Sequence, residues 1–336
     1  MIDLISDTVT RPTPAMLAAM AHAPVGDDVF NEDPSAHALQ SYAALLFGHE
    51  AALFMPSGVM SNQIAIKAHT QPMDELICSD MAHVYRYENG GYGFHSQIAV
   101  HPIHAARGIV TPAQIAAAIK PIADWLPRSR LVVIENTVNA AGGAVQRLDE
   151  ARAISELCRE RGLKLHLDGA RLFNALAVTG DAPSAWGQLC DSISICLSKG
   201  LGAPVGSLLI GPAPFIAHAR RLRKGFGGGM RQIGGLAAAG LYALQNHVER
   251  LTIDHAHAQQ IAAALRGCPL VTAIQPVETN IVIFDVSPPA AQFLDRLQEH
   301  NIRGSAFGPN TVRLVTHLDV SADQVEQTCA AIEALT

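Results

Sequence analysis

A single lysine, Lys199, stands where strand-forming residues give way to glycines, in the segment "SISICLSKGLGAPVGSLLIG" at 192–211. Three interpretations compete: a phosphate clamp, a surface charge at a strand end, or an amine that forms a covalent bond. A P-loop has its glycines before the lysine and a hydroxyl after it, and this segment has the reverse order. An amine shielded from water can lose its proton and attack a carbonyl carbon, so the pattern favours covalent chemistry.

Ionisable side chains also follow two other strand-like runs. "RLVVIENT" carries Glu135, and "KLHLDGARLFNA" carries Asp168 and Arg171. Strand ends are often polar simply because the chain reaches the surface there. In an open α/β sheet, however, the carboxyl ends of the strands share one crevice, where ligands bind. An amine that forms an imine can hold a cofactor whose pyridine ring accepts electrons while its nitrogen stays protonated, and this requires a nearby carboxylate. Asp168 is the candidate for that carboxylate.

Two segments are candidates for phosphate binding. "MPSGVMSNQ" places Ser57 and Gly58 between a strand and a helix, where backbone N–H groups can bind an anion. "RRLRKGFGGGMRQIGG" surrounds a triple glycine with basic residues, among them Lys224 and Arg231. This basic tract is either a solvated surface with a flexible loop or a contribution to the phosphate site of a neighbouring subunit.

Alternating strands and helices must position these groups. Val-, Ile- and Leu-rich strands with helices between them predict an α/β fold with a mostly parallel sheet covered on both faces. We expect an irregular N-terminal arm at 1–34 and a large domain at 35–245 that begins with a helix near 35–48. A long helical tract at about 230–265 should lead into a small C-terminal α/β domain at 246–336.

Composition narrows the class of protein. Among 336 residues, 49% are apolar and only 16% are charged, which favours a large core and a surface partly covered by another subunit. A net charge of −6 argues against nucleic-acid binding. Six cysteines without CxxC spacing, no signal peptide and no membrane-spanning stretch predict a cytoplasmic protein with reduced thiols. The histidine pairs "HPIH" and "HAH" lack a metal-binding frame, so no catalytic metal is expected.

Six further segments carry a resemblance to a known family: "SDTVTRPT", "GDDVFNEDP", "PSGVMSNQ", "LHLDGARLFNA", "GGGMRQ" and "VRLVTH". Together with the lysine segment, they resemble the low-specificity L-threonine aldolases, which are pyridoxal-phosphate enzymes of the aspartate-aminotransferase (type I) fold. The resemblance implies retro-aldol cleavage of L-threonine, L-allo-threonine and related β-hydroxy-α-amino acids to glycine and an aldehyde. It also implies pyridoxal 5'-phosphate as cofactor, a small amino-acid substrate, and a homotetramer with active sites shared between subunits.

The same resemblance implies roles for individual residues. Lys199 would hold the cofactor covalently, Asp168 would pair with the pyridine nitrogen, and Arg171 would lie near the ring hydroxyl and the substrate carboxylate. His83, in "DMAHVYRYENGG", would stack on the ring and is a candidate base. The phosphate would be bound by Ser57, Gly58 and Val59, and by Lys224 and Arg231 of a neighbouring subunit. The substrate carboxylate would be bound by Ser6 and Arg313.

Four positions depart from the family pattern. Val138 replaces a histidine of "ENTHN", and Trp125 stands where some relatives carry another histidine. Val59 replaces a frequent threonine, and Phe30 replaces a common tyrosine. The first two changes predict altered recognition of the substrate hydroxyl, with a shifted preference at Cβ or room for bulkier β-substituents. A water held by His83 could then serve as the base.

Other activities remain open at the level of sequence. The same cofactor supports β-elimination and transamination, although transaminases of this fold usually recognise a second carboxylate. A pyridoxal-phosphate-binding regulator without turnover would normally carry a fused DNA-binding domain, and we expect none before Ser6 or after Arg313.

Overall fold

The computed structural model describes residues 1–335, within which fourteen α-helices and thirteen β-strands are present. The helices are α1 Pro14–Ala21, α2 Pro34–Phe47, α3 Gly58–His69, α4 His83–Arg86, α5 Gly91–Ser96, α6 Pro112–Ala118, α7 Leu148–Glu160, α8 Leu172–Thr179, α9 Pro183–Gly187, α10 Ala213–Gly225, α11 Gly234–Asn246, α12 Leu251–Gly267, α13 Ala290–Glu299 and α14 Ala322–Glu333. The strands are β1 Ile2–Asp3, β2 Ala51–Met55, β3 Asp74–Ser79, β4 Ala99–Ile103, β5 Arg128–Glu135, β6 Lys164–Gly169, β7 Ser192–Cys196, β8 Ser207–Gly211, β9 Val271–Ile274, β10 Ile281–Val286, β11 Ile302–Arg303, β12 Ser305–Ala306 and β13 Thr311–Val315. None of these helices is both long enough and apolar enough to cross a membrane.

A seven-stranded sheet forms the centre of the molecule, in the order β2-β8-β7-β6-β5-β3-β4. Strand β8 is antiparallel to both of its neighbours, and the other pairs are parallel. The residues of β3, β7 and β8 are all buried, as expected when helices cover both faces of a sheet. The predicted α/β class with a mostly parallel sheet is therefore confirmed.

The register of this sheet brings the polar strand ends together. Glu135, the last residue of β5, lies opposite Asp168 of β6, and Asp168 lies opposite Ser194 of β7. Because these strands are parallel, their carboxyl ends share one edge of the sheet. Lys199 follows β7 by three residues and leaves the sheet at the same edge.

A smaller, antiparallel sheet, β12-β13-β10-β9, packs with α12, α13 and α14 around its own apolar cluster. Strand β1 pairs with β11 beside it, so the N-terminus joins this part of the molecule. The long helical tract expected near 230–265 consists of two helices, α11 and α12, separated by residues 247–250. The division of the chain after residues 34 and 245 stays a prediction.

The expectation of an irregular segment across 1–34 is wrong for residues 14–21, which form α1. The Thr13 side chain accepts a hydrogen bond from Met16 N at 3.3 Å, and Pro14 occupies the first turn, where its missing N–H costs nothing. The helix expected near 35–48 is confirmed as α2, with Asp33 accepting from Ala36 N at 3.0 Å.

Candidate active site

A cavity of about 280 Å³ opens at the carboxyl edge of the large sheet. Six of the residues selected from the sequence line it: Ser57, Gly58, Val59, His83, Asp168 and Lys199. A larger groove of about 840 Å³ lies among α2, α8, α11 and α12, but it contains none of those residues. The chemistry of the lining, rather than its size, therefore identifies the smaller cavity as the candidate site.

Lys199 is held through its backbone while its amine remains free. Its carbonyl accepts hydrogen bonds from Thr10 Oγ1 at 2.9 Å and from Gly202 N at 2.8 Å. Within residues 1–335, the amine itself forms no hydrogen bond, and it lines the cavity. An anchored backbone with a free amine is the arrangement that a covalent attachment point requires.

Asp168 lies on the floor of the cavity, with 2% of its surface exposed. Its Oδ2 accepts a hydrogen bond from Asn62 Nδ2 at 2.8 Å, and its Oδ1 accepts a longer one from Ala170 N at 3.2 Å. A carboxylate oxygen has two lone pairs, so the group can still accept from a protonated ring nitrogen.

The N-terminus of α3 forms one wall of the cavity. Ser57 caps this helix by accepting from Met60 N at 3.1 Å, and the first helical bond runs from Ser61 N to Ser57 O at 3.1 Å. The N–H groups of Gly58 and Val59 therefore lie outside the helical hydrogen-bond pattern. A Cβ atom added at Gly58 would meet nothing within 4 Å, so the space in front of this turn is open to an anion.

His83, the first residue of α4, is fixed by two carboxylates. Its backbone N–H donates to Glu135 Oε2 at 2.8 Å, and its Nδ1 lies 2.9 Å from Glu88 Oε1. Burial alone would lower the pKa of His83, but the hydrogen bond to Glu88 and the charges of Asp168, Glu88 and Glu135 raise it overall. Burial, reinforced by the nearby charge of Asp168, also raises the pKa of Glu135 to about 7.

Arg171 is engaged by Asp7 rather than free in the cavity. Its Nε and Nη2 atoms donate to the two oxygens of Asp7, both at 2.7 Å, and the two side chains are buried together. Burial opposes ionisation of Asp7, but the attraction of Arg171 prevails and holds the pKa of Asp7 well below its usual range. The Nη1 atom of Arg171 donates to Asn139 Oδ1 at 3.3 Å, so this guanidinium is oriented on both sides.

Arg313 shares one of these partners. Its Nη1 donates to Asn139 Oδ1 at 3.1 Å and its Nη2 to the carbonyl of Ile5 at 3.1 Å, while its Nε is buried without a partner among residues 1–335. Burial and the neighbouring charge of Arg171 lower the pKa of Arg313. Ser6 follows Ile5, and its hydroxyl accepts from Thr8 N at 3.2 Å.

Lys224 and Arg231 do not line the cavity of their own chain. Both are exposed, and Arg231 pairs with Asp27 at 3.0 Å. The acidic segment "GDDVFNEDP" pairs with the basic tract again through Asp28 and the buried Arg223. A role for Lys224 and Arg231 in a neighbouring subunit stays a prediction.

The positions that depart from the family pattern also lie outside the cavity, except Val59. Val138 is buried against Gly108 and Met81, and its side chain belongs to a separate apolar cluster. Trp125 is 83% exposed and precedes β5, at the amino end of a strand that spans roughly 25 Å. Phe30 is exposed as well. Neither Val138 nor Trp125 therefore lines the cavity of the same chain.

Four polar residues that position the others were not predicted from the sequence: Asn62, Glu88, Asp7 and Asn139. Asn62 and Glu88 hold Asp168 and His83, while Asp7 and Asn139 hold the two arginines. The available signal for three of them was their placement inside the quoted motifs: Asp7 in "SDTVTRPT", Asn62 in "PSGVMSNQ" and Glu88 in "DMAHVYRYENGG".

A mostly parallel sheet, with a lysine and an aspartate meeting at its carboxyl edge, fits the fold class of the type I pyridoxal-phosphate enzymes. A family profile described as β-eliminating lyase matches residues 3–288. The chain is 46% identical over 332 residues to a low specificity L-threonine aldolase of Escherichia coli (strain K12), covering 98% of both chains. It is 39% identical to low-specificity L-threonine aldolase 1 of Arabidopsis thaliana, covering 99% of this chain and 95% of the relative.

Solved structures agree on the fold. A threonine aldolase from Leishmania major superposes with a TM-score of 0.87 at 21% identity, covering 99% of both chains. A structure described as a putative L-allo-threonine aldolase from Listeria monocytogenes gives a TM-score of 0.83 at 20% identity, covering 99% of this chain and 95% of that one. The chain belongs to the β-eliminating lyase family and, within it, to the low-specificity L-threonine aldolases.

Proposed function

We propose that this chain is a pyridoxal-phosphate-dependent aldehyde-lyase that cleaves L-threonine and L-allo-threonine to glycine and acetaldehyde. The observation that carries the proposal is one cavity lined by the free amine of Lys199, the buried carboxylate of Asp168, the imidazole of His83 and the open N-terminus of α3. These are the groups that an aldehyde, a pyridinium nitrogen, an aromatic ring and a phosphate require.

Lys199 would hold the cofactor, Asp168 would accept a hydrogen bond from its ring nitrogen, and the N–H groups of Gly58 and Val59 with the Ser57 hydroxyl would bind its phosphate. When bound, the cofactor supplies an electron sink for the pair released by the Cα–Cβ bond. The amino-acid carboxylate would pair with Arg313, whose Nε has no partner among residues 1–335, and with the hydroxyl of Ser6. Arg171, held by Asp7, would complete the positive side of this subsite.

His83 is the proposed base for the cleavage. Its imidazole would accept the proton of the β-hydroxyl, directly or through a water, while the Cα–Cβ bond breaks and the β-carbon leaves as an aldehyde. The carbon that remains then takes up a proton and becomes the Cα of glycine. A positioned base typically contributes about 10²–10⁴-fold to such a step.

We further propose a homotetramer, with Lys224 and Arg231 of one subunit reaching the phosphate site of another. Large exposed apolar side chains, including Phe94, Ile122 and Trp125, support contacts between subunits. Light scattering coupled to gel filtration tests the assembly. A cytoplasmic location is proposed as well, and it is supported by six free cysteines, five of them buried.

An absorption spectrum and a coupled assay test the function together. We expect a visible band that is lost in Lys199→Ala, and aldehyde release from both threonine isomers measured with an alcohol dehydrogenase and NADH. A band with pyruvate and ammonia from serine, but no aldehyde, would instead establish β-elimination. Aldehyde released only from substrates with larger β-substituents would show that the enzyme prefers bulkier β-hydroxy amino acids to threonine. No band after addition of pyridoxal phosphate would refute the cofactor.

A further inference from the structure

We infer that Glu88 is a positioning residue that keeps the Nε2 atom of His83 free to accept a proton in the cavity. The inference deepens the proposed function and rests on it, because it concerns the base of that reaction. Glu88 lies in the turn between α4 and α5, its side chain is fully buried, and it does not line the cavity.

The carboxylate of Glu88 is surrounded by donors. Its Oε1 accepts from Asn62 Nδ2 at 2.9 Å and lies 2.9 Å from His83 Nδ1, and its Oε2 accepts from Gln63 Nε2 at 2.6 Å. An ionised carboxylate can only accept, so Nδ1 of His83 must carry the hydrogen. In the neutral imidazole the lone pair is then on Nε2, the atom that a proton-accepting base needs.

Asn62 connects Glu88 to Asp168, the residue proposed to bind the ring nitrogen of the cofactor. Its Nδ2 donates both hydrogens, one to Asp168 Oδ2 at 2.8 Å and one to Glu88 Oε1, so a single amide bridges the two buried carboxylates. The amide oxygen must therefore face a donor, which is His166 Nε2 at 3.2 Å. The orientation of Asn62 is thus fixed from both ends.

The hydrogen bonds continue in one direction between α3 and the strands β6 and β7. Because His166 donates from Nε2, its Nδ1 accepts from Ser192 Oγ at 2.8 Å, and Ser192 in turn accepts from His69 Nε2 at 2.7 Å. Burial lowers the pKa of His69 to about 3 and that of His166 to about 4, so each ring is neutral and donates one hydrogen toward the cavity. With these tautomers every donor in the chain points toward Asp168 and Glu88.

Several charged or titratable groups face His83, and Glu88 is the one that contacts its ring. Asp168 on β6 and Glu135 at the end of β5 act on it through charge, and the Tyr87 ring lies 5.5 Å away. Lys199 lines the same cavity. Replacing Glu88 should therefore change the titration of His83 while the other carboxylates remain in place.

A cation is the rival explanation for this cluster, since ligand atoms of His83, Glu88 and Asp168 lie within 4.8 Å of one another. The amide of Asn62 decides against it. Its Nδ2 donates to both carboxylates, and a donor hydrogen between them occupies the position where a cation would need further acceptors.

The test compares Glu88→Gln and Glu88→Leu with the unaltered protein. Gln63 Oε1 is buried without a partner, so its amide can turn to accept from the new glutamine, and the first variant removes charge while preserving shape. Glu88→Leu removes the hydrogen bonds too. Glu75→Gln is the matched control, because Glu75 is buried near the amino end of β3, where it pairs with Lys120.

The first readout needs no turnover. Diethyl pyrocarbonate modifies neutral imidazole, so its rate at His83 against pH, followed by peptide mass spectrometry in the cofactor-free protein, reports the titration of that ring. The exposed His218 of the same digest serves as an internal reference. We expect the His83 midpoint to move to lower pH in Glu88→Gln and Glu88→Leu and to be unchanged in Glu75→Gln.

The second readout is kinetic. In the loaded enzyme, Glu88→Gln should move the acidic limb of the kcat/KM profile to lower pH. Glu88→Leu should lower kcat about 10–100-fold with little change in KM, part of the about 10²–10⁴-fold that a positioned base contributes. Substantial recovery of kcat in Glu88→Gln relative to Glu88→Leu would show that the hydrogen bonds position the ring.

Two results would overturn the inference: a His83 midpoint that is the same in Glu88→Gln and the unaltered protein, or one that in the unaltered protein lies below the ordinary range for histidine. The second measurement requires no variant, so a variant that fails to fold does not remove the test. If the unaltered enzyme releases no aldehyde but the midpoint still shifts, the proposed function fails and the positioning of His83 by Glu88 stands.

Discussion

Acidification from about pH 7 to about pH 5 should weaken this protein through two buried histidines, His69 and His166. In the folded protein, burial lowers their pKa values to about 3 and about 4. In the unfolded chain they titrate near the ordinary value of about 6.5. As the pH falls below about 6.5, the unfolded chain therefore binds protons that the folded protein does not, and the free energy of unfolding decreases.

The size of the effect follows from these values. Between about pH 7 and about pH 5, each histidine should remove about 2 kcal/mol from the free energy of unfolding, or about 4 kcal/mol together. Glu135 acts in the opposite sense. Its folded pKa of about 7 lies above the ordinary value, so it binds a proton in the folded state as the pH falls and offsets part of this loss.

A variant isolates one contribution from the others. In His69→Gln the side-chain amide can still donate to Ser192 but does not titrate, although stacking on Phe215 at 4.5 Å is lost. Urea unfolding of the cofactor-free protein at both pH values, at one protein concentration, gives the change for each form. The loss on acidification should be about 2 kcal/mol smaller in His69→Gln. An exposed substitution, His218→Gln, should leave the loss unchanged.

If acidification lowers the free energy of unfolding equally in His69→Gln and in the unaltered protein, the prediction is refuted. Equal decreases would mean that His69 is not held neutral in the folded state. The lower stability expected of His69→Gln at neutral pH, from the lost stacking, does not affect this comparison. The prediction concerns only the difference between the free energies of unfolding at the two pH values.

Three other predictions concern single positions. A Cβ atom at Gly169 would lie 2.7 Å from the carbonyl oxygen of Ser194, so Gly169→Ala should cost about 1–3 kcal/mol and weaken cofactor binding, measured by urea unfolding and by fluorescence titration. Arg313→Lys loses the guanidinium fork, so KM for L-threonine should rise about 10-fold with kcat nearly unchanged; an unaltered KM would remove Arg313 from the carboxylate site. Asp33→Ala removes the cap contact to Ala36, so the melting temperature should fall, by an amount equivalent to about 1 kcal/mol.

The features of the fold that were predictable are those with a local pattern. The apolar strands that end in Glu135 and Asp168, and the turn from a strand into a helix at Ser57, are each specified by a few consecutive residues. Parallel strands bring such ends to one edge whatever the details of the loops. Part of the membership of the cavity could therefore be anticipated without knowing a single distance, although Ser6, Arg171, Lys224, Arg231 and Arg313 do not line it.

The polar contacts that position the cavity residues were not predictable, because their partners are far apart in sequence. Asn62 and Asp168 are separated by 106 residues, and Arg171 and Asp7 by 164. Asn62 lies inside a quoted motif, but the local pattern does not indicate which distant residue its side chain contacts. The helix α1 was missed for a different reason: a proline-rich segment indicates turns, although proline is well tolerated in a first helical turn.

Trp125 illustrates a placement that topology alone could have corrected. It lies three residues before β5, whereas the candidate site is at the other end of that strand. A residue assigned to a site by resemblance can therefore lie at the edge of the sheet opposite the candidate site of its own chain. Val138 is on the correct edge, but the chain turns its side chain toward Gly108, a contact that only the three-dimensional structure reveals.

The pairing of the N-terminal strand has a consequence for synthesis on the ribosome. Ile2 pairs with Ile302, the carbonyl of Leu4 accepts from Val315 N at 2.9 Å, and the carbonyl of Ile5 binds Arg313. These early residues emerge about 300 residues before their partners, so they must wait unpaired while the large sheet is translated and begins to fold. The proposed carboxylate-binding subsite is then assembled last, so we expect that a nascent chain cannot engage substrate before its translation is nearly complete.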